Sequence, residues 1–189
     1  MAARQTVPAG EADAVHRRHV VSALVVDRPG TLNRVSGLLR ARSFNIESLT
    51  VGSTHEPGRS RMTIAIRGDD GHLRQVLAQL ERLIEVLEVT DLTQRERIEL
   101  ELALVELEPP KDPAEQATVS AALGWAGGEV ISTDGPAWRV RLVAPPEAID
   151  RALEALRGHG LRSLVRAGAV AMAAGTTTTP ITENGATRA

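Results

Sequence analysis

Two hydrophobic rhythms alternate along this chain, and their order repeats. The run His19–Val26 (HVVSALVV) is β-branched and almost wholly apolar, as a strand buried on both faces would be. Asp27-Arg28-Pro29-Gly30 breaks it, and Leu32, Val35, Leu38 and Leu39 then recur at helical spacing through Arg42. Period-two alternation returns in Asn45–Gly52 and, after the turn His55-Glu56-Pro57-Gly58, in Met62, Ile64 and Ile66. Leu73, Val76, Leu77, Leu80 and Ile84 mark a second helix, and Glu85–Leu92 a fourth strand. The order is β-α-β-β-α-β.

A short polar stretch near Thr93–Ile98 follows, and the order starts again. Leu100, Leu102 and Leu104 alternate. Asp112-Pro113-Ala114-Glu115 has a helix start's chemistry, with Asp as N-cap, Pro at the first helical position and Glu at the third. That helix is expected to run to about Leu123 and stop at Gly124. Glu129–Thr133 and Trp138–Leu142 read as strands around the turn Asp134-Gly135-Pro136. Ile149, Leu153 and Leu156 define the last helix, with Gly158 placed as its C-cap, and Leu161–Met172 is the last strand. The pattern predicts an α+β chain of two consecutive ferredoxin-like βαββαβ units, each with its helices on one sheet face. Each unit alone has a marginal core, and uncovered sheet faces and edges invite pairing between chains. The expected division is 1–17 as a disordered extension, 18–93 as the first domain, 94–98 as a linker, 99–173 as the second domain and 174–189 as a disordered tail.

Composition removes several function classes. The net charge of −2 gives no basic excess for phosphate contacts, and the only aromatic residues are Phe44, Trp125 and Trp138. Nucleic-acid binding by a charged or base-stacking surface is therefore not expected. There is no cysteine, which removes thiolate nucleophiles and sulfur-ligated metals. No apolar run reaches the roughly 18 residues of a membrane span, and the opening segment lacks the apolar centre of a signal peptide, so a cytoplasmic location is the expectation.

Catalytic chemistry is thin. None of the five histidines (16, 19, 55, 72 and 159) stands in H-x-x-x-H or H-E-x-x-H spacing, and no nucleophile elbow or phosphate loop occurs. His72 beside Asp69 and Asp70 reads better as part of a loop capping the second helix, Glu81, Glu85 and Glu88 as a solvated face, and Trp125 and Trp138 as core or interface anchors. The segment Asp27–Leu32 differs. It joins a strand end to a helix start, where unpaired N–H groups and the helix dipole favour a carboxylate. Gly30 permits close backbone approach, and Asp27 can accept from an ammonium group. Such a place suits a small zwitterionic amino acid, although a plain strand-to-helix turn has the same spacing.

The motif Val26-Asp27-Arg28-Pro29-Gly30-Thr31-Leu32, followed by Asn45-Ile46-Glu47-Ser48-Leu49 and Ser60-Arg61-Met62-Thr63, resembles the small regulatory subunits of acetolactate synthase. The likeness is dense from about His19 to Leu107 and looser from Lys111 to Gly175, where Arg166-Ala167-Gly168-Ala169-Val170-Ala171-Met172 resembles the family's terminal strand. Glu106 and Pro109-Pro110 depart from the family pattern. The resemblance implies that the first unit is an ACT domain, which dimerises and holds a branched-chain amino acid, usually valine, at the dimer interface. On this chain the implied ligand residues are Asp27, Gly30, Thr31 and Leu32, with the N–H groups of residues 30–32 holding the carboxylate. Asn45 and Ile46 would contact the ligand across the interface. It further implies a homodimer with no catalytic site, docked through the region of Gln75 on a large subunit that carries thiamine diphosphate, Mg²⁺ and FAD. A stand-alone amino-acid sensor acting on transcription is the alternative, disfavoured by the absence of a helix-turn-helix pattern and of basic charge.

Overall fold

The computed structural model describes residues 17–41 and 45–175. The first unit consists of β1 (Arg17–Val26), α1 (Thr31–Ala41), β2 (Asn45–Ser53), β3 (Arg59–Gly68), α2 (Asp70–Leu80) and β4 (Val86–Asp91). The second consists of β5 (Arg97–Leu107), α3 (Pro113–Trp125), β6 (Glu129–Ser132), β7 (Trp138–Ala144), α4 (Pro146–Leu156) and β8 (Leu161–Ala173). Each unit forms a four-stranded sheet, in the orders β2-β3-β1-β4 and β6-β7-β5-β8, with every recorded pairing antiparallel. The twofold βαββαβ order is the one the hydrophobic pattern predicts. The first core gathers Val21, Ala23 and Val25 of β1 with Val35, Leu39, Leu73, Val76 and Leu80 of the helices, and the second gathers Ala103, Val105 and Leu107 with Val119, Leu123, Ile149 and Leu156.

Local chemistry explains most boundaries. Asp112 caps α3 by accepting from the Glu115 N–H at 2.8 Å, and Glu115 reaches back to the Lys111 N–H at 2.7 Å. This reciprocal arrangement satisfies two orphan donors. The Lys111 bond, together with His159, holds the Glu115 carboxyl below its ordinary range.

Several boundaries differ from the pattern-based expectation. Helix α2 stops at Leu80, four residues before Ile84, which is 85% exposed. The bonds Arg82 N–H to Gln79, Leu83 N–H to Leu80 and Val86 N–H to Leu83 turn the chain tightly into β4. Ile84 shares the helical spacing but not the helix. Helix α3 continues past Gly124 to Trp125. At the end of α4 the left-handed residue is Gly160 (φ +72) rather than Gly158, and its carbonyl accepts the Glu108 N–H at 2.9 Å. β5 opens at Arg97, within the stretch expected to be linker. Trp138 packs against the second core, one of the two placements expected for the tryptophans, and Trp125 is 59% exposed. The two tails, Arg42, Phe44 and the His72 side chain lie outside the described residues.

The outer faces of the two sheets have different fates. On the first sheet the outward residues Val20, Ser22, Leu24, Thr63 and Ala65 are buried, and β8 of the second unit crosses this face. The Ala171 N–H points to Thr63 Oγ1 at 3.4 Å, and Thr50 Oγ1 donates to the Ala167 carbonyl at 3.4 Å. One of the two faces expected to be uncovered is therefore covered within the chain.

Candidate functional site

The end of β1, the following turn and the start of α1 form the first half of the candidate site. The Val26 N–H donates to Glu85 O at 2.8 Å and the Asp27 N–H to Gly58 O at 2.8 Å, so the turns at 27–30 and 55–58 lie side by side. Gly30 adopts φ +93, a region that L side chains rarely enter. A Cβ there would meet nothing within 4 Å, so the backbone turn itself requires glycine. Thr31 is buried. Its hydroxyl donates to Val26 O at 3.1 Å and its N–H to Arg28 O at 3.2 Å. Thr31 thus closes the turn, and its N–H is already engaged. The Gly30 carbonyl accepts the Arg34 N–H at 3.0 Å. Among the described residues, no backbone carbonyl accepts from Gly30, Leu32 or Asn33, so their N–H groups are left at the positive end of α1. Asn33 was not singled out by the sequence motif. Asp27 is exposed, and the Leu32 side chain stands 48% exposed beside the turn.

Below the turn, Arg34 pairs with Glu85 Oε1 at 2.7 Å, while Glu85 Oε2 is buried with no partner among the described residues. An acceptor thus lies under the same helix, from a residue that the pattern assigned to a solvated face.

Asn45 and Ile46 lie elsewhere. Asn45 pairs with Arg67, which pairs with Arg18, eight residues before Val26 along β1. At about 3.3 Å per residue the two halves are some 26 Å apart in one chain. Asn45 is exposed at the start of the edge strand β2, and Ile46 packs partly against the first core. Gln75 is exposed on α2.

A second constellation, unmarked in the sequence, sits between the two units. Beside Asn45, a bulge between Ile46 and Ser48 leaves Glu47 as an extra residue on β2. Glu47 binds Arg18 and Arg67, each at 3.0 Å, and Arg18 reaches Glu99 of β5 at 2.5 Å, with Arg97 on the other Glu99 oxygen at 2.9 Å. Burial disfavours the charge on Glu99, yet hydrogen bonds from Arg18 and Arg97 outweigh it and hold the carboxyl below its ordinary range. A matching bulge on β8 sets Ala167 and Gly168 together opposite Leu102. Arg166 holds buried Glu101 through two bonds of 2.8 and 2.5 Å and Asp150 through one of 2.6 Å. The hydrogen bonds to Glu101 prevail over burial and, with Asp150, raise the Arg166 pKa above its ordinary value. A cavity of about 370 Å³ lies between the bulges, walled by Arg18, Glu47, Ser48, Glu101, Arg166 and Gly168 among others. Among the described residues, no helix is long and apolar enough to cross a membrane.

The arrangement places unengaged backbone N–H groups at a helix start, on a sheet whose edge strand begins with Asn45. Residues 21–88 match the family model of the AHAS small subunit-like ACT domain. A probable acetolactate synthase small subunit from Methanothermobacter thermautotrophicus is 39% identical over 85% of this chain and 95% of its own length. The chain belongs to the acetolactate synthase small-subunit family. The acetolactate synthase small subunit of Aquifex aeolicus is 35% identical over 82% of this chain and 81% of its own. The crystal structure of the small subunit from Thermotoga maritima superposes with a TM-score of 0.73 at 30% identity, covering 84% of this chain and 98% of that one. The family likeness therefore spans both units, and the first is an ACT domain.

Proposed function

We propose that this chain is the non-catalytic regulatory subunit of an acetolactate synthase. It docks on a large catalytic subunit, raises that subunit's activity and transmits feedback inhibition by a branched-chain amino acid, with valine the first candidate. The observation that carries the reading is the near full-length match to small subunits of that enzyme. Thiamine diphosphate, Mg²⁺ and FAD belong, in this reading, to the catalytic subunit.

The effector site needs two copies of the chain. β2 is an edge strand with an unpaired backbone row. Antiparallel pairing of two β2 strands about a two-fold near Leu49 carries Asn45 and Ile46 of one protomer to the end of the sheet where the partner's α1 begins. The ligand carboxylate would then take the Gly30, Leu32 and Asn33 N–H groups, its ammonium Asp27, and its branched side chain Leu32 and Ile46, with the Asn45 amide adding a polar contact. In this reading Gly30 shapes the turn and Thr31 locks it. Gln75, exposed on α2, faces the catalytic subunit.

The test is reconstitution with a cognate large subunit. Activity should rise on adding this chain and fall on titrating valine, and the chain alone should bind valine by calorimetry. Unchanged large-subunit activity at saturating chain would overturn the reading.

A further inference from the structure

The cavity of about 370 Å³ at the seam falls in the size range of small-molecule sites, which gather where two domains meet. Strands of both units frame it, and both bend there. Glu47 is the extra residue of the β2 bulge, and Ala167 with Gly168 forms the bulge of β8, a device that re-aims side chains beside binding sites. Five charged side chains stand in the wall, Arg18 and Arg166 against Glu47, Glu101 and Asp150. Arg67, Arg97 and Glu99 complete the ion-paired cluster around them, which brings it to four charges of each sign. A cluster that is neutral overall offers no field to concentrate a bare anion or a polyamine. It still presents both signs within one small space. The internal pairs do not exhaust it. Among the described residues, Arg18 Nη1, Asp150 Oδ2 and the Ser48 hydroxyl have no hydrogen-bond partner. The uncharged wall at Leu49, Pro146, Ala167 and Ala169 is aliphatic.

We propose that the seam cavity is a second binding site, for a small aliphatic α-amino acid held as its zwitterion. The carboxylate takes the free Arg18 nitrogen, the ammonium takes Asp150, and the side chain lies along Leu49 and Pro146. The Ser48 hydroxyl serves either charge, because it both donates and accepts. The existing ion pairs stay in place. Asp150 is the most exposed of the five charged groups, so the entrance lies on its side. This site is distinct from the one proposed at the helix start. Arg18 stands eight residues before Val26 on β1, about 26 Å away in one chain, and every group in the wall comes from a single protomer. An amino acid bound here touches β2 of the first unit and β8 and α4 of the second, so occupancy ties the two units together.

Equilibrium dialysis of the full-length chain against L-valine and L-alanine reads both sites. The wild type should bind more than one amino acid per chain, and Gly30→Asp, which disables the helix-start site, should leave one class of binding. Ala167→Met fills the cavity from an exposed position on β8 and keeps the carbonyl that Thr50 Oγ1 reaches. Added to Gly30→Asp, it should abolish the remaining class. Asp150→Asn changes one exposed group and should leave the circular dichroism spectrum as it is. It should weaken that class roughly tenfold or more, the loss of one charge-assisted contact. Isobutylamine and isovalerate are valine without its carboxylate and without its ammonium, and each should bind the Gly30→Asp chain at least roughly tenfold more weakly than valine. Equal binding of either would overturn the zwitterion assignment. Failure of the Gly30→Asp chain to bind valine or alanine would overturn the site, as would binding that Ala167→Met and Asp150→Asn both leave unchanged. Wild-type binding that ignores Gly30→Asp but disappears with Ala167→Met would remove the helix-start site and leave this one standing.

Discussion

Gly168 meets Thr50 across the seam between the two units. A Cβ on Gly168 would lie 2.8 Å from Thr50 Oγ1 and 3.1 Å from Ser48 Cβ, and the residue's φ of +81 already disfavours any side chain. Thr50 Oγ1 donates to the carbonyl of the preceding residue, Ala167. The β8 bulge thus presses backbone directly onto β2, the strand whose start carries Asn45. A change at the proposed effector site would have a short chain of contacts into the second unit: Asn45 and Ile46, then the Glu47 bulge, then Ser48 and Thr50 against Gly168.

Gly168→Ala should therefore loosen this seam. Backbone strain and the close contact together should cost about 1–3 kcal/mol, which at roughly 2–4 °C per kcal/mol is a visible drop in Tm by calorimetry. Adding Thr50→Ala should recover the Thr50 part of the contact loss, leaving the Ser48 contact and the strain. In the reconstituted enzyme, Gly168→Ala should weaken valine inhibition while valine binding to the isolated chain changes little. Equal loss of binding and inhibition would show that the seam supports the site rather than relaying from it.

The repeated βαββαβ order was legible because both rhythms are local: alternation in β3 and β7, and three-to-four spacing in α1 and α4, declare themselves within ten residues. The Asp112 cap was legible for the same reason. Ile84 misled because it continues the spacing of α2 after the helix has turned away at Leu80, and periodicity records a face without recording where the backbone leaves it. Gly158 and Gly160 are equivalent as letters, and the Glu108 N–H decides between them from fifty-two residues away. The candidate turn at Asp27–Leu32 was readable as a motif, but Thr31's engagement with Val26 and Arg28 and the orphaned oxygen of Glu85 depend on tertiary placement. The seam itself left no local signal, since Arg18 and Glu99 are 81 residues apart and Thr50 and Ala167 are 117 apart.

Gly30 separates conformational from electrostatic effects. Gly30→Ala places its methyl in open space but forces φ +93, for about 1 kcal/mol of strain. Gly30→Asp carries comparable strain and adds a carboxylate beside the N–H groups proposed for the ligand. Valine affinity should be nearly unchanged in the alanine variant and fall roughly 10–100-fold in the aspartate variant, the value of one charge-assisted hydrogen bond. Asn45→Ala should weaken valine in the same direction and more mildly. Calorimetric titration of the three variants checks this, and equal affinities across them would sink the assignment.

Glu99 makes the seam pH-dependent. Its carboxyl titrates lower in the folded chain than its ordinary value of 4.5, because Arg18 and Arg97 hold the charged form. A depressed folded pKa contributes stability that is complete above the unfolded value and is lost as pH falls through the folded one. Stability measured by urea denaturation should therefore be flat in this contribution above about pH 5 and decline below about pH 4.5. Glu99→Gln should lower the neutral-pH plateau by about 1–2 kcal/mol and flatten the acid slope. A variant that keeps the wild-type slope would place the acid sensitivity elsewhere.

Arg166 is held against a buried acid, and removing it should cost more than any exposed ion pair. Glu101 is 5% exposed and takes two bonds from Arg166, whereas Asp150 on the same guanidinium is mostly solvated. Arg166→Met keeps much of the aliphatic stem but leaves the Glu101 carboxylate buried with its counter-charge gone, a change that typically costs about 3–5 kcal/mol. The stability loss should sit near the lower end, because the adjoining cavity lets water reach the carboxylate. Asp150→Ala, which strips only the exposed partner, should cost below about 1 kcal/mol. The decisive variant is the double Glu101→Gln/Arg166→Met. With no charge left to strand, it should regain most of the stability lost in Arg166→Met, giving a coupling energy of about 2 kcal/mol in the double-mutant cycle. Simple additivity in denaturant melts would mean that Arg166 stabilises β8 through packing rather than through Glu101.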